Sequence, residues 1–309
     1  MLGLKAIASY IPPDQTDNII RGAKFGESED FIRNKIGAVH LPVMDKGQDT
    51  SDLAVEAIKV LALKCPSLDL GKIDALIVVT QNPDGQGLPH TSAIVQRKLG
   101  LPDSLAAFDL SLGCSGFVYA AFAMKGFLQA SGLKNGLVVT ADPYSKIVDP
   151  EDRVTSLLFG DGATATWIGE DPVFSLDAVS YGTDGSGSEF LQKVEDRLQM
   201  NGRQVFSFAI TKVAPQIKAL LAREGLAIED IDLYCLHQGS GAIVDAVARQ
   251  FGDCAPRFVK DLMETGNTVS SSIPLILEHH AFDSNANKII ICGFGVGFSW
   301  ATALLTRNV

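Results

Sequence analysis

Asp109-Leu-Ser-Leu-Gly113-Cys114-Ser-Gly-Phe-Val-Tyr-Ala-Ala-Phe-Ala123 is the stretch whose reading decides the fold. The short apolar strand Ala106-Ala107-Phe108 runs into a Gly-Cys-Ser-Gly turn, and an apolar helix rich in small residues follows to about Ser131. Glycines on both sides of Cys114 permit a sharp strand-to-helix elbow. That elbow predicts a thiol at a helix start, where the dipole and free backbone N–H groups lower a thiol's pKa. Taken singly, a cysteine before a helix is also an ordinary small core residue. The question for the rest of the chain is whether it supplies a partner for a thiolate.

The chain has 309 residues, of which 46% are hydrophobic and 20% charged, a composition suited to a large core in one or two domains. The net charge is −10 and no strong basic run occurs, which argues against a nucleic-acid partner. No stretch approaches the roughly 18–20 uninterrupted apolar residues of a membrane span. The opening Met1-Leu-Gly-Leu-Lys-Ala-Ile-Ala-Ser-Tyr10 turns polar too soon for a signal peptide and reads as a first strand. Five cysteines stand singly, without CxxC or Cys/His ligand spacing, so reduced thiols in a cytoplasmic chain are expected and no metal site is read. His279-His280 lacks a nearby cysteine or carboxylate cluster in sequence and reads as a polar helix end.

Outward from the elbow, the pattern repeats. Helix 51–64 is followed by the β-branched run Ile73-Asp-Ala-Leu-Ile-Val-Val-Thr80, a helix at 91–99 ending in Gly, the elbow, and Leu137-Val-Val-Thr140. Later comes a helix at about 205–223, then Ile231-Asp-Leu-Tyr-Cys-Leu-His237-Gln238, a helix at 241–251, Phe258-Val259, a loop leading to a helix at 270–280, and Ile289-Ile-Ile-Cys292. A helix around 27–35, a loop-rich segment at 170–205 and a last strand at 298–306 complete the reading. The repeat has a period of roughly 150 residues. It predicts a duplicated α/β protein whose halves are residues 1–170 and 171–309, layered α/β/α/β/α with parallel-rich sheets. Under the duplication, Cys114 and Asn267 fall at corresponding elbows, and His237 lies at a neighbouring strand end. Elbows at strand C-termini gather at one crevice.

Cysteine, histidine and amide together suit either a hydrolase, with His as base, or a thioester-handling enzyme, with the thiol as acyl carrier. A seam between halves favours the second. Gly293-Phe-Gly-Val296-Gly297 after an apolar run can bring the Val296 N–H beside that of Cys114 as an oxyanion hole. Singly, His237 also reads as a hydrogen-bonded strand-end histidine and Asn267 as a turn residue.

Several stretches in order carry a resemblance. They are Glu29-Asp-Phe-Ile-Arg-Asn-Lys-Ile-Gly37, Phe108 to Phe117, Asp149-Pro-Glu-Asp-Arg153, Phe159-Gly-Asp-Gly-Ala163, Met200-Asn-Gly-Arg-Gln-Val-Phe206, His237-Gln238, Gly266-Asn-Thr268 and Gly295-Val-Gly-Phe-Ser-Trp300. With them, the chain resembles β-ketoacyl-acyl-carrier-protein synthase III, a thiolase-fold condensing enzyme. The resemblance implies Cys114 as acyl-accepting nucleophile and His237 with Asn267 as the pair that stabilises a decarboxylating malonyl thioester. It implies acyl-coenzyme A and malonyl-acyl carrier protein as partners, no resident metal or redox cofactor, and a homodimer. Substrate contacts are expected from Phe31, Lys35, Arg153, Phe206 and Leu88.

The chain departs from that family's pattern at places around the substrates. Phe31 stands where a tryptophan commonly stacks on adenine, and Lys35 where an arginine is usual. His237-Gln-Gly-Ser-Gly-Ala242 replaces a His-Gln-Ala-Asn run followed by arginine, and Ser207 replaces a lysine, whereas Arg249 is kept. Leu88 stands for the phenylalanine that lines the partner's acyl pocket. These departures point to a specialised paralogue feeding a dedicated pathway. Two other readings stay open: transfer of the Cys114-bound acyl group to an alcohol or amine without decarboxylation, and a non-catalytic partner subunit.

Overall fold

Alternating and β-branched apolar runs form the strands of the computed structural model, which describes residues 1–308. The strands are β1 (Leu2–Tyr10), β2 (Gln15–Asp17), β3 (His40–Pro42), β4 (Ala75–Val79), β5 (Ala106–Leu110), β6 (Gly136–Ala141), β7 (Ala163–Glu170), β8 (Phe174–Thr183), β9 (Leu191–Val194), β10 (Arg197–Met200), β11 (Leu233–Leu236), β12 (Lys288–Gly295) and β13 (Ser299–Arg307). The helices are α1 (Asn18–Lys24), α2 (Glu29–Phe31), α3 (Thr50–Lys64), α4 (Thr91–Leu99), α5 (Gly116–Ser131), α6 (Arg153–Ser156), α7 (Gly202–Arg223), α8 (Gly241–Ala248) and α9 (Ser272–Leu277).

The central sheet runs β11-β12-β13-β8-β1-β7-β6-β4-β5. Read outward from the β1–β8 junction, each side has the same plan. On one side β1 and β7 pair antiparallel, β7 and β6 antiparallel, and β6, β4 and β5 parallel. On the other β8 and β13 pair antiparallel, β13 and β12 antiparallel, and β12 and β11 parallel. A single parallel bridge from Tyr234 to Phe258 stands where a strand equivalent to β5 is expected. Within this sheet the two sides pair at Gly3↔Ser175 and Leu4↔Phe174.

Three apolar layers follow from this plan. Leu53, Ala57, Ile58 and Leu61 of α3 recur at helical spacing and pack on one outer face with Leu76, Val78 and Val139. Phe208, Val213, Ile217 and Leu220 of α7 pack on the other with Ile290 and Leu236. Between them α5 and α9 are enclosed, with Phe117, Met124, Leu275 and Ile276 in one cluster with strands from both sides. The buried face of α5 is made of small or apolar residues, Gly116, Phe117, Val118, Ala120, Ala121, Met124 and Leu128, whereas Ala123, Gly126 and Gln129 are exposed. The layering is therefore α/β/α/β/α. Helix α7 is long and apolar enough by length and composition to cross a membrane. Its packed face on the sheet is that of a core helix.

Segment 170–205 is less irregular than the sequence suggested. It holds β8 and the hairpin β9–β10. Gly182, a cue for a turn, is a strand residue facing Trp300 on β13. A Cβ there would lie about 2.1 Å from the indole, so the glycine makes room for the ring. The helix expected at 27–35 is a short α2 followed by a π-turn at Ile32–Ile36. The helix expected at 241–251 closes at Ala248 and continues as 3-10 turns, and that expected at 270–280 is α9 flanked by a 3-10 turn and a π-turn. His279 and His280 both lie on Asp261, at 3.2 and 2.8 Å.

At the junction of the two sides, a Cβ on Gly3 would stand 2.3 Å from the Phe174 carbonyl oxygen, a backbone atom that cannot swing away. Gly3→Ala is expected to cost about 1–3 kcal/mol, as overpacking does. A lowered urea midpoint checks it, and an unchanged midpoint would remove the junction from the stability argument.

Candidate active site

The β5 strand ends at Leu110, and Cys114 lies two residues before α5 begins at Gly116. The elbow presses against neighbouring strands, and glycines make that approach possible. A Cβ on Gly116 would lie 2.4 Å from Val79 Cγ1. A Cβ on Gly293 would lie 2.6 Å from the Cys114 carbonyl oxygen, and one on Gly295 would lie 2.8 Å from the Cys114 Sγ. The glycines of β12 are thus where they are because the cysteine occupies the space of their side chains.

The thiol is not a resting thiolate. Burial pushes the Cys114 pKa up to about 12, and the nearby Asp142 carboxyl pushes the same way. The backbone N–H groups of Cys114 and Val296 stand against the sulfur and pull down, without reversing it. This corrects the expectation from helix position alone: desolvation of a 5%-exposed sulfur outweighs the helix start. The Cys114 N–H and the N–H expected from the glycine loop, that of Val296, both stand at the sulfur.

Asn267 precedes the turn into α9, with its backbone pinned to Leu158 and Gly160. Its Oδ1 accepts from the Val269 N–H at 2.9 Å, which leaves the NH2 end to face the cavity. Val269 is a β-branched residue at φ 52°, a strained conformation held by its burial. His237 follows β11 with its N–H on the Cys292 carbonyl. Its ring packs edge-on to Phe294 with centroids 5.5 Å apart, and Nδ1 lies 2.7 Å from Ser272 Oγ. Burial lowers its pKa to about 3, against the opposing pull of the Val269 carbonyl, so the imidazole is neutral.

Cys114, His237 and Asn267 converge on one cavity of about 410 Å³, walled mainly by apolar groups such as Tyr144, Phe159, Leu191, Met200 and Ile243. Phe31, Lys35, Arg153 and Phe206 line it toward its mouth. Lys35 makes no ion pair among the described residues, whereas Arg153 is paired with Glu27. Leu88 is not brought to the cavity. It is 93% exposed on the loop between β4 and α4.

Three residues at the site left no mark in the sequence reading. Asp142 is buried, its Oδ1 accepting from the Gln81 N–H and Asn82 Nδ2 at 3.1 and 3.2 Å, while Oδ2 has no partner. Burial lifts its pKa to about 7. Val269 and Ser272 act through backbone conformation and one hydroxyl, which no motif signals.

The family model described as 3-Oxoacyl-[acyl-carrier-protein (ACP)] synthase III matches residues 108–185, and the model of that family's C-terminal part matches 221–307. Over 320 residues the chain is 32% identical to the Beta-ketoacyl-[acyl-carrier-protein] synthase III of Lactococcus lactis, covering 96% of this chain and 97% of the relative. It is 33% identical over 318 residues to the enzyme of the same name from Streptococcus mutans, with 96% and 97% covered. The crystal structure of the synthase III from Thermus thermophilus superposes with a TM-score of 0.91 at 32% identity, covering 99% of both chains. That of 3-oxoacyl-(acyl carrier protein) synthase III from Pseudomonas aeruginosa gives 0.91 at 28%, covering 100% of this chain and 98% of that one.

Because Asp142 carries charge above about pH 7 and raises the Cys114 pKa, Asp142→Asn should make the thiol easier to ionise. Alkylation of Cys114 by iodoacetamide, read peptide by peptide, is expected to be several-fold faster than wild type at pH 8.5 and equal to it at pH 5.5. Equal rates at both would show that the carboxyl does not act on the thiol.

Proposed function

The chain belongs to the 3-oxoacyl-[acyl-carrier-protein] synthase III family, and on that premise we propose that it joins an acyl group held on Cys114 to a malonyl thioester with loss of CO₂, giving a β-ketoacyl thioester. One observation carries the reading. A thiol, a neutral imidazole and an inward-turned amide NH2, from three separate segments, meet in one apolar-walled cavity.

In the first half-reaction, Cys114 Sγ bonds to the acyl carbonyl carbon of an acyl-coenzyme A thioester. The incoming carbon–sulfur bond breaks and the departing sulfur takes the thiol proton. The N–H groups of Cys114 and Val296 hold the charge on the tetrahedral oxygen. The high pKa of the thiol fits a proton that leaves only as the new bond forms. In the second, a malonyl thioester on acyl carrier protein enters the freed cavity. The bond to its carboxylate breaks, CO₂ departs and the electron pair becomes a thioester enolate. His237 Nε2–H and Asn267 Nδ2–H donate to the enolate oxygen. A neutral imidazole is a competent donor here, because it meets charge only as charge develops. The enolate carbon then attacks the Cys114 thioester, the carbon–sulfur bond breaks, and the departing thiolate takes a proton from solvent to restore the thiol. The thioesters supply their own activation, so the sequence of steps calls for no metal or redox cofactor.

Phe31, Lys35, Arg153 and Phe206 at the mouth are proposed to meet the phosphopantetheine arm and its phosphates. The free Lys35 ammonium is suited to a phosphate. A homodimer belongs to the same reading. The β5 strand is one outer edge of the sheet, Phe108 and Leu110 are only partly buried on it, and the bare Leu88 lies on the loop that follows the neighbouring strand β4. An unprotected apolar edge is what a second copy covers. Residues 1–170 and 171–309 are proposed as the two thiolase-like halves, and the cytoplasm as the location. Phe31, Lys35 and Ser207 motivate placing the chain in a dedicated pathway.

Exposure to a panel of acyl-coenzyme A donors should leave a mass adduct on Cys114, whose size names the primer, and malonyl thioester should then release CO₂. Cys114→Ala should abolish the adduct with the fold intact. Asn267→Ala should keep the adduct and slow CO₂ release by about 10²–10³, the effect of losing one preorganised donor. An adduct without CO₂ would replace the reading with simple acyl transfer.

A further inference from the structure

His237 is neutral, so its ring carries one proton and has two nitrogens to place it on. Which nitrogen bears it decides what the residue can do. With the proton on Nε2 the ring donates to an oxygen in the cavity; with the proton on Nδ1 it presents a bare lone pair there. Nε2 is on the cavity side: it lies about 3.6 Å from where a Cβ on Gly239 would stand, and Gly239 lines the cavity.

Nδ1 faces Ser272, the first residue of α9, itself only 3% exposed. Ser272 Oγ has one hydrogen and two places to send it. Nδ1 is 2.7 Å away, and the Val269 carbonyl oxygen is 3.1 Å away. The Gln238 N–H points at the same oxygen from 3.4 Å, as a donor, and so takes up lone-pair capacity without offering an acceptor. The shorter contact lies at the normal length of a hydroxyl hydrogen bond and the longer one at its weak end. Phe294 packs edge-on to the ring and hinders its turning toward another partner.

We propose that Ser272 is a positioning residue for the condensation: its hydroxyl donates into His237 Nδ1 and thereby keeps the ring proton on Nε2, aimed into the cavity. This rests on the condensation proposed above, which needs His237 as a donor. The Val269 carbonyl is the competitor. If the hydroxyl were absent, that carbonyl would be the acceptor left beside the ring, and it would draw the proton to Nδ1. Ser272 and the Val269 carbonyl therefore have opposite effects on where the ring proton sits, and the backbone of Val269 also holds the amide of Asn267. The orientation of both donors is set within residues 267–272.

Ring ¹⁵N shifts of histidine-labelled protein read the tautomer directly, with His237 assigned by its absence in His237→Gln among the five histidines. Wild type is expected to carry the proton on Nε2. Ser272→Ala is expected to move it to Nδ1 and to slow CO₂ release by about 10²–10³, because one preorganised donor is lost. It should leave the KM for malonyl thioester and the rate of Cys114 acylation unchanged. Ser272→Thr, which keeps the hydroxyl, should restore both the shift and the rate. A wild-type proton on Nδ1, or wild-type CO₂ release in Ser272→Ala, overturns the proposal. Absence of CO₂ release in wild type would instead sink the condensation reading, while the ¹⁵N shifts would still decide where Ser272 sends its hydrogen.

Discussion

The site depends on one close approach, that of the Cys114 elbow to β12. Two alternate residues of that strand, Gly293 and Gly295, have no Cβ, and the backbone and sulfur of Cys114 fill the space. The approach has three consequences at once. It buries the sulfur, brings the Val296 N–H to it, and seats the start of α5 between the sheets. Because α5 is in the middle layer, the elbow cannot shift without disturbing packing on both sides. The geometry at the sulfur is therefore as rigid as the core.

Burial then sets the chemistry. The same dry surroundings push the Cys114 pKa up and the His237 pKa down. Neither group is charged at rest, so neither carries the desolvation cost of an isolated buried ion. In the proposed reaction, charge arises only on substrate oxygen, which the N–H groups of the site are proposed to meet. Asp142 is the exception, a buried acid whose second oxygen lacks a partner and whose pKa lies near neutrality. It stays uncharged over part of the working range for the same reason.

The large-scale order of the chain was legible because it is written twice. Matching helix–strand–elbow runs placed Cys114 and Asn267 at equivalent positions, and the structure brings both, with His237, to one cavity. Strand β8 was missed because Gly182, Gly185 and Gly187 look like turn signals. Gly182 in fact yields to Trp300, a partner more than a hundred residues away that no local pattern shows. The Cys114 pKa was misread because helix position is local and desolvation is not. Leu88 was assigned from resemblance alone, and in a single chain it faces outward. Ser272 and Val269 lie beside the GNT motif and carry no signature, since what they contribute is a hydrogen-bond direction and a backbone angle.

The strain at Val269 has a physical explanation in this arrangement. An L residue with a branched side chain at φ 52° costs of order 1–3 kcal/mol and persists only where surroundings over-determine it. Here its side chain is fully buried beside Cys114, its N–H donates to Asn267 Oδ1, and its carbonyl lies 3.1 Å from Ser272 Oγ as the competitor for the hydrogen given to His237. Turning the peptide unit to relax φ would release the Asn267 amide. A residue without a Cβ would adopt the same angle with less strain, but would leave the wall of the thiol unpacked and the backbone freer. The branched side chain fills the wall and stiffens the peptide, which under the proposed reaction keeps the Asn267 amide in place before substrate arrives. Preorganised donors of this kind need little reorganisation when charge appears, which is where their advantage over water lies.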